Sequence, residues 1–196
     1  MPFDKGRSIA SGFTPVEVDL REELNSLAKW ESYGKFILRC DAEYNKSLLQ
    51  LIPYTILVSK NHEKVFVAKR TAGDSRLVSN YSLGFGGHIN PTDTSYVVRS
   101  AAIRELNEEL DMKGATPATF LGYVRDVNSE TSEHLGFVYV SAVSRAKIKE
   151  TDTMEGTWMG LDELVDKYYK FESWSKFLID YMFVTTYNDK LLPGVI

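Results

Sequence analysis

Gly86-Gly87-His88-Ile89-Asn90-Pro91-Thr92-Asp93, followed after ten residues by Arg104-Glu105-Leu106-Asn107-Glu108-Glu109-Leu110-Asp111-Met112, is the stretch on which fold and chemistry turn. Glu105, Glu108 and Glu109 stand at i, i+3 and i+4, so on a helix they share one surface. A helix is expected from about Asp93 or Thr94 to Asp111. Val98, Ala102, Leu106 and Leu110 recur every four residues there and form a ridge that can face a core. Three carboxylates this close repel one another, and a divalent cation reverses the sign of that interaction. An all-oxygen, strongly negative set suits magnesium, or manganese in its place, rather than zinc, for which no Cys/His set is evident. The Gly-Gly turn ahead of the helix lets backbone approach a ligand closely and can present a carbonyl as another hard ligand. A strand, a glycine turn and a carboxylate helix in that order make a cradle for metal and phosphate. The plain alternative is a solvated acidic face, because Glu-rich helices are common.

Outward from this stretch the centre of the chain is β-rich. Residues 53–59 and 64–70 read as strands joined by the polar hairpin Asn61-His62-Glu63. Residues 119–127 and 136–143 read as two more, joined by a polar loop over 128–135. Trp158-Met159-Gly160-Leu161 is short and extended. Asp162 can cap a helix through Tyr169, and an aromatic-rich amphipathic helix covers about 172–183. Residues 1–18, with Gly6, Gly12 and Pro15, read as an extended arm or loop. Asp19 can cap a helix to about Tyr33 carrying Leu20, Leu24, Leu27 and Trp30, which Gly34 stops. A second short helix is expected around 42–49. Strands interleaved with helices, with the central strands in hairpins, point to an α+β fold: a mixed sheet between helices on both faces, an α/β/α sandwich. Residues 1–50 are expected to be an arm and helical extension packing on the main domain, and 51–196 the main domain including the C-terminal helix.

Composition sets the outer limits. In 196 residues, 43% are apolar and 26% charged, which is ordinary for a globular chain with a sizeable core. A net charge of −4 offers no basic field for nucleic acid or an anionic membrane. The start of the chain carries no apolar signal core, and no apolar run approaches the roughly 18 residues of a membrane span. The chain therefore reads as cytosolic. The single cysteine, Cys40, ends the strand-like run Phe36-Ile37-Leu38-Arg39 and is expected to be a buried, inert thiol.

The quoted stretch resembles the Nudix hydrolases, whose pattern is G-x5-E-x7-R-E-U-x-E-E-x-G-U with U aliphatic. Arg104-Glu105-Leu106-Asn107-Glu108-Glu109 matches the R-E-U-x-E-E core in full, and Gly86-Gly87-His88-Ile89 looks like its entry. The likeness covers roughly residues 51–164. Three departures stand out. The spacer before Arg104 is ten residues instead of seven. On a helix that adds roughly 4.5 Å, nearly one turn, so the front of the box must be rebuilt or looped out. The first glutamate is Asp93, whose short carboxylate suits a helix N-cap. The box glycine is Asp111, a residue that tolerates left-handed backbone. The first two changes leave the supporting salt bridge to Arg104 open.

The resemblance implies that Glu105, Glu108 and Glu109 bind magnesium, with the Gly87 carbonyl as a further ligand and Arg104 orienting the carboxylates. It implies hydrolysis of a pyrophosphate bond in a nucleoside diphosphate linked to another moiety, and a homodimer as a family-level expectation. The proton acceptor is a box glutamate or one of Glu130, Glu133 and Glu155. Lys69, Arg70, Arg76, Arg99 and Arg125 are candidate phosphate contacts. Tyr81, Phe85 and Trp158 are candidates for stacking on a base, against the plain reading of core aromatics. His88 and His134 lie near the box in sequence, and His62 sits in the hairpin. Two other functions share the scaffold. One is an isomerase resembling isopentenyl diphosphate isomerase, which needs a cysteine at the site. The other is a non-catalytic nucleotide sensor, favoured by the long spacer and Asp93.

Overall fold

The computed structural model describes residues 11–16, 20–45, 47–72, 80–129, 132–149, 151–186 and 191–192. Arg76 and Glu130 lie outside the described residues. The frame is a mixed sheet with β1 (Gly12–Pro15), β2 (Gln50–Ser59), β3 (Val65–Arg70), β7 (Thr119–Arg125), β8 (His134–Val143) and β10 (Met154–Met159) in the order β1-β7-β8-β2-β3-β10. The short β4 (Tyr81–Ser82) pairs with β3, and β5 (Gly84–Phe85) pairs with β2. The β2–β8 pairing is parallel, from Gln50↔His134 to Ser59↔Val143, and the other pairings are antiparallel. The hairpin at 61–63 forms as expected, closing β2 onto β3 with Val58 opposite Val65.

Side chains alternate across the sheet, and the two faces bury different helices. Along β8, Val138 and Val140 join the cluster of Leu164, Trp174, Leu178, Ile179 and Met182. These come from α4 (Leu161–Asp166) and α5 (Ser173–Thr185). Phe137 and Tyr139 point the other way, to Leu27 of α1 (Leu20–Tyr33) and to Val98 and Ala102 of α3 (Val97–Glu109). Burying a side chain such as Leu178 or Leu27 contributes about 1.5–3 kcal/mol. A second apolar cluster on the α3 side holds Leu57, Phe66, Phe85, Leu106 and Leu110. The fold is thus the expected mixed sheet between helices.

Local expectations differ in several places. Gly12–Pro15, within the segment expected to be an extended arm or loop, is paired as an edge strand on β7. The run 36–40 is not a strand: Phe36, Ile37 and Leu38 are irregular and exposed, and no sheet strand pairs with them. Cys40 sits instead on the short α2 (Arg39–Tyr44) and is exposed. The expected helix over 42–49 is this α2, shifted towards the start of the chain. Finally, α3 stops at Glu109, and Leu110–Lys113 turns into β6, which pairs with β9 (Arg145–Ile148) in a separate two-stranded sheet. No helix among the described residues is long and apolar enough to cross a membrane.

Candidate active site

The strap from β5 to α3 is shaped by two close approaches. A Cβ on Gly86 would lie 1.8 Å from the Pro53 carbonyl oxygen, so only glycine lets the strap run against β2. A Cβ on Gly87 would fall 2.7–2.8 Å from the Glu105 carboxylate atoms. The Gly87 backbone and the Glu105 carboxylate therefore face each other across a space that any side chain would fill.

The enlarged spacer is accommodated before the helix, not within it. The helix begins at Val97, so seven residues (97–103) precede Arg104 and the surplus 94–96 stays outside. Ser95 and Tyr96 both take left-handed backbone, φ 53° and 57°, which bends the chain into the helix entry. Asp93 is not the N-cap. The Glu31 carboxylate of α1 stands before the N–H groups of Val97 and Val98 instead, placing negative charge at the positive end of the helix. Burial nevertheless leaves the Glu31 pKa above its ordinary value. A second tie joins the same helices: Arg99 Nη1 donates to Glu23 Oε1 at 2.8 Å and Nη2 to the Ala118 carbonyl at 2.8 Å. Arg99 is thereby a latch between α1 and α3 rather than a phosphate contact.

Asp93 does form the supporting pair. Arg104 Nε donates to Asp93 Oδ1 at 2.9 Å and Nη2 to Oδ2 at 3.1 Å, a two-pronged contact on a carboxylate only 6% exposed. Nη2 also reaches the His88 carbonyl at 2.9 Å, and the Asn90 N–H donates to Asp93 Oδ2 at 2.7 Å. Burial alone would raise the Asp93 pKa. The Arg104 hydrogen bonds, the Asn90 N–H and the guanidinium charge outweigh it and hold the carboxyl below its usual range.

The remaining prong of Arg104 touches the glutamates. Nη1 lies 2.7 Å from Glu105 Oε1 and 3.0 Å from Glu108 Oε2. One guanidinium, fixed by Asp93 and His88, thus orients two carboxylates. Glu105 is half-buried beside Gly87, Glu108 is exposed and Glu109 is half-buried at the helix end. Among the described residues no three His, Cys, Asp or Glu side chains are gathered into a finished metal-ligand set. The donor set still fits a hard divalent cation. All its atoms are carboxylate or carbonyl oxygens, and the Gly87–Glu105 cradle admits no side chain.

Other candidates fall away from this centre. Phe85 is 2% exposed and stacked on Phe66, centroids 5.8 Å apart, so it cannot stack on a base. Arg125 spends Nε and Nη2 on the Ser132 carbonyl and braces the loop ahead of β8. Lys69 and Arg70 end β3, with Arg70 opposite Met154. Tyr81 leans on Phe171 and Trp158 on Phe66. Glu155 is exposed on edge strand β10. His62 binds Leu191 through its Nδ1 and its carbonyl. Asp111 has no left-handed backbone: the chain is already extended in β6, and Asp111 pairs with Arg145 at 2.8 Å. The Glu31 cap escaped sequence reading because it lies on another helix, and no local pattern marks it.

Similarity to known proteins agrees with this geometry. The profile of the NUDIX domain matches residues 52–181. Protein YmaB of Bacillus subtilis (strain 168) is 33% identical over 168 residues, 79% of this chain and 81% of YmaB. The crystal structure of Tm1382, a candidate Nudix hydrolase, superposes with a TM-score of 0.74 at 30% identity, covering 90% of this chain and 91% of Tm1382. A carboxylate helix braced by Arg104 over a glycine strap, in a sheet of this order, agrees with those matches: the chain belongs to the NUDIX family and is a Nudix-type hydrolase.

Proposed function

We propose that the protein hydrolyses the pyrophosphate bond of a nucleoside diphosphate linked to another moiety, with magnesium, or manganese in its place, held by Glu105, Glu108, Glu109 and the Gly87 carbonyl. The observation that carries this reading is the bracing of Arg104 by Asp93 and His88, which aims its last nitrogen at Glu105 and Glu108. A bound divalent cation supplies positive charge against the pyrophosphate oxygens and lowers the pKa of a water. The protein's own part is positioning. Arg104 keeps Glu105 beside the Gly87 backbone, and Glu31 and Arg99 tie α3 to α1 so that the carboxylate row keeps its place. A box glutamate, or Glu133 at the entry to β8, accepts the proton of the attacking water.

The sensor alternative drew on the long spacer and on Asp93. With the surplus residues looped out and the Asp93–Arg104 pair formed, neither feature favours it. The test is a panel of nucleoside diphosphate derivatives assayed with magnesium and with manganese, using Glu108→Gln/Glu109→Gln as the inactive control. Turnover that falls by about a thousandfold or more in the control, with folding intact, is expected from the loss of metal ligation and base chemistry. Tight nucleotide binding without turnover would sink the reading.

A further inference from the structure

Glu108 and Glu109 ride on the last turn of α3, where a helix frays most readily. The last four carbonyls of any helix lack partners within it. Two carboxylates in this turn also put negative charge at the negative end of the helix dipole, and no basic residue of the turn offsets them. In the family pattern a glycine follows, a residue that can close a helix over its own carbonyls through left-handed backbone. Here Leu110 is already extended, φ −130° and ψ 140°, and Asp111 follows it into β6. The Leu110 N–H still reaches the Leu106 carbonyl, but the chain then runs on without folding back over Asn107 and Glu109.

A distant part of the chain supplies the missing donors. Lys149 donates its backbone N–H to the Glu109 carbonyl at 2.8 Å and its Nζ to the Asn107 carbonyl at 2.5 Å. One residue thus ties two carbonyls of the turn, and its ammonium is the charge that this end of the dipole favours. Lys149 is itself placed by the ribbon that it follows. Leu110 pairs with Ile148 and Lys113 with Arg145, and the Arg145 guanidinium also grips Asp111 at 2.8 Å. Ile148 is 4% exposed and packs in one cluster with Leu106 and Leu110. Buried packing therefore delivers the next residue, Lys149, to the end of the box helix.

We propose that Lys149 is a positioning residue for the metal-binding end of α3: it clamps the Asn107 and Glu109 carbonyls so that Glu108 and Glu109 keep the placement in which they share a cation with Glu105 and the Gly87 carbonyl. The proposal rests on the reading of those glutamates as metal ligands. Lys149 acts through the backbone and touches neither cation nor substrate. A lysine on the carboxylates themselves would compete with the cation for their oxygens, whereas Lys149 spends its ammonium on a carbonyl. The clamp does the work that the family's glycine turn does elsewhere, with a charge added.

The test compares the full chain with Lys149→Met, which keeps the stem and the backbone N–H and removes the ammonium. In the metal-free protein, amide hydrogen exchange read by NMR should quicken about fivefold at Leu110, whose N–H closes the last turn, and hold at Ala102 in mid-helix. Mn2+ titration followed by EPR should show the Kd weakened by about fivefold. The magnesium concentration for half-maximal turnover should rise by the same factor, while the nucleotide KM at saturating metal holds. Lys149→Arg keeps a cation and an N–H donor and should restore the wild-type values. An unchanged Mn2+ Kd in Lys149→Met overturns the proposal. So does a loss that Lys149→Arg leaves unrestored, or exchange quickened along the whole of α3, the mark of a general loss of stability. Weakened Mn2+ binding in Lys149→Met, with no nucleotide turned over by the wild type, counts against the hydrolase substrate and not against Lys149, so the two failures are separable.

Discussion

Asp93, on the box side of the sheet, and Glu172, at the start of α5 on the other, are both carboxylates drawn out of water and ringed by donors, yet their pKa values move in opposite directions. Glu172 accepts from Tyr54 Oη at 2.7 Å, from the N–H groups of Trp174 and Ser175 at 2.7 and 3.0 Å, and from the Ser175 hydroxyl. Those donors are all neutral. Burial outweighs them and holds the Glu172 pKa above its ordinary value. Asp93 has fewer partners, but one is a guanidinium that grips both its oxygens. A formal charge close by decides the sign where a larger number of dipoles does not. The two networks are joined by one stretch of chain, 83–87: the Leu83 N–H donates to the Ser175 hydroxyl, and four residues on Gly87 faces Glu105. One end of that stretch is held by the α5 cap, and the other lies beside the Glu105 carboxylate that Arg104 orients.

The comparison breaks most visibly at Arg104. Arg104→Met leaves Asp93 buried without its cation, a loss of about 3–5 kcal/mol on the scale of broken buried pairs. Urea unfolding reads the stability, and turnover should collapse with it, because Glu105 and Glu108 lose their common tether. If stability drops by less than about 1 kcal/mol, the pair is no more than a surface contact and the contrast with Glu172 is empty.

Asp93→Asn is the sharper probe, costing about 1.5–3 kcal/mol for a hydrogen bond to a charged group. It should also alter the pH dependence. The Asp93 pKa is depressed in the fold, so its contribution is present above the unfolded value, near 3.8, and is lost as pH falls through the folded value. Wild type should therefore lose stability in acid more steeply than Asp93→Asn. The Glu172 pKa is raised, so its contribution is present below the unfolded value, near 4.5, and is lost as pH rises through the folded value. Glu172→Gln should flatten the stability curve on that side. Equal curves for wild type and both variants would contradict the opposed signs.

The carboxylate row was legible in the sequence because i, i+3 and i+4 is a local relation that any helix enforces. The Asp93–Arg104 pair was not. Eleven positions along one continuous helix would set the two roughly 16 Å apart. The pair exists because the helix starts at Val97 and left-handed Ser95 and Tyr96 fold the preceding chain back. The charge that meets the start of that helix comes from Glu31, a residue of another helix, and no window around the box contains it. The sheet shows the same divide. Residues 53–59 and 64–70 announced themselves by composition and a short polar turn. Gly12–Pro15 became a strand only because the edge of β7 was open to it, and 36–40, apolar enough for a strand, found no edge at all. Phe85 was misread for a related reason: an aromatic next to a glycine turn looks accessible in sequence, but its partner Phe66 comes from another strand.

Next in size comes the structural cap. Glu172→Ala removes the side chain that caps α5 and should cost about 1–2 kcal/mol. It should leave kcat unchanged, because α5 packs on the face of the sheet away from α3. Urea midpoints and steady-state turnover on the same preparation check both halves. A loss of turnover at full folding would show that a change at Leu83 reaches Gly87, and the two networks would then act as one unit.

The smallest effect belongs to the spacer. Tyr96 holds φ 57°, and for a residue with a Cβ that conformation costs about 1–2 kcal/mol. Tyr96→Gly removes the cost, while the freer unfolded chain takes back about 0.4–1 kcal/mol. The side chain is 41% exposed, so the packing lost with it is partial. A net gain of about 0.5–1 kcal/mol in the urea midpoint is expected, with kcat/KM unchanged, because the bend survives and Asp93 still reaches Arg104. A net loss would mean that the Tyr96 ring holds the bend in place. The Asp93 side of the comparison would then depend on a third anchor besides Arg104 and Glu31.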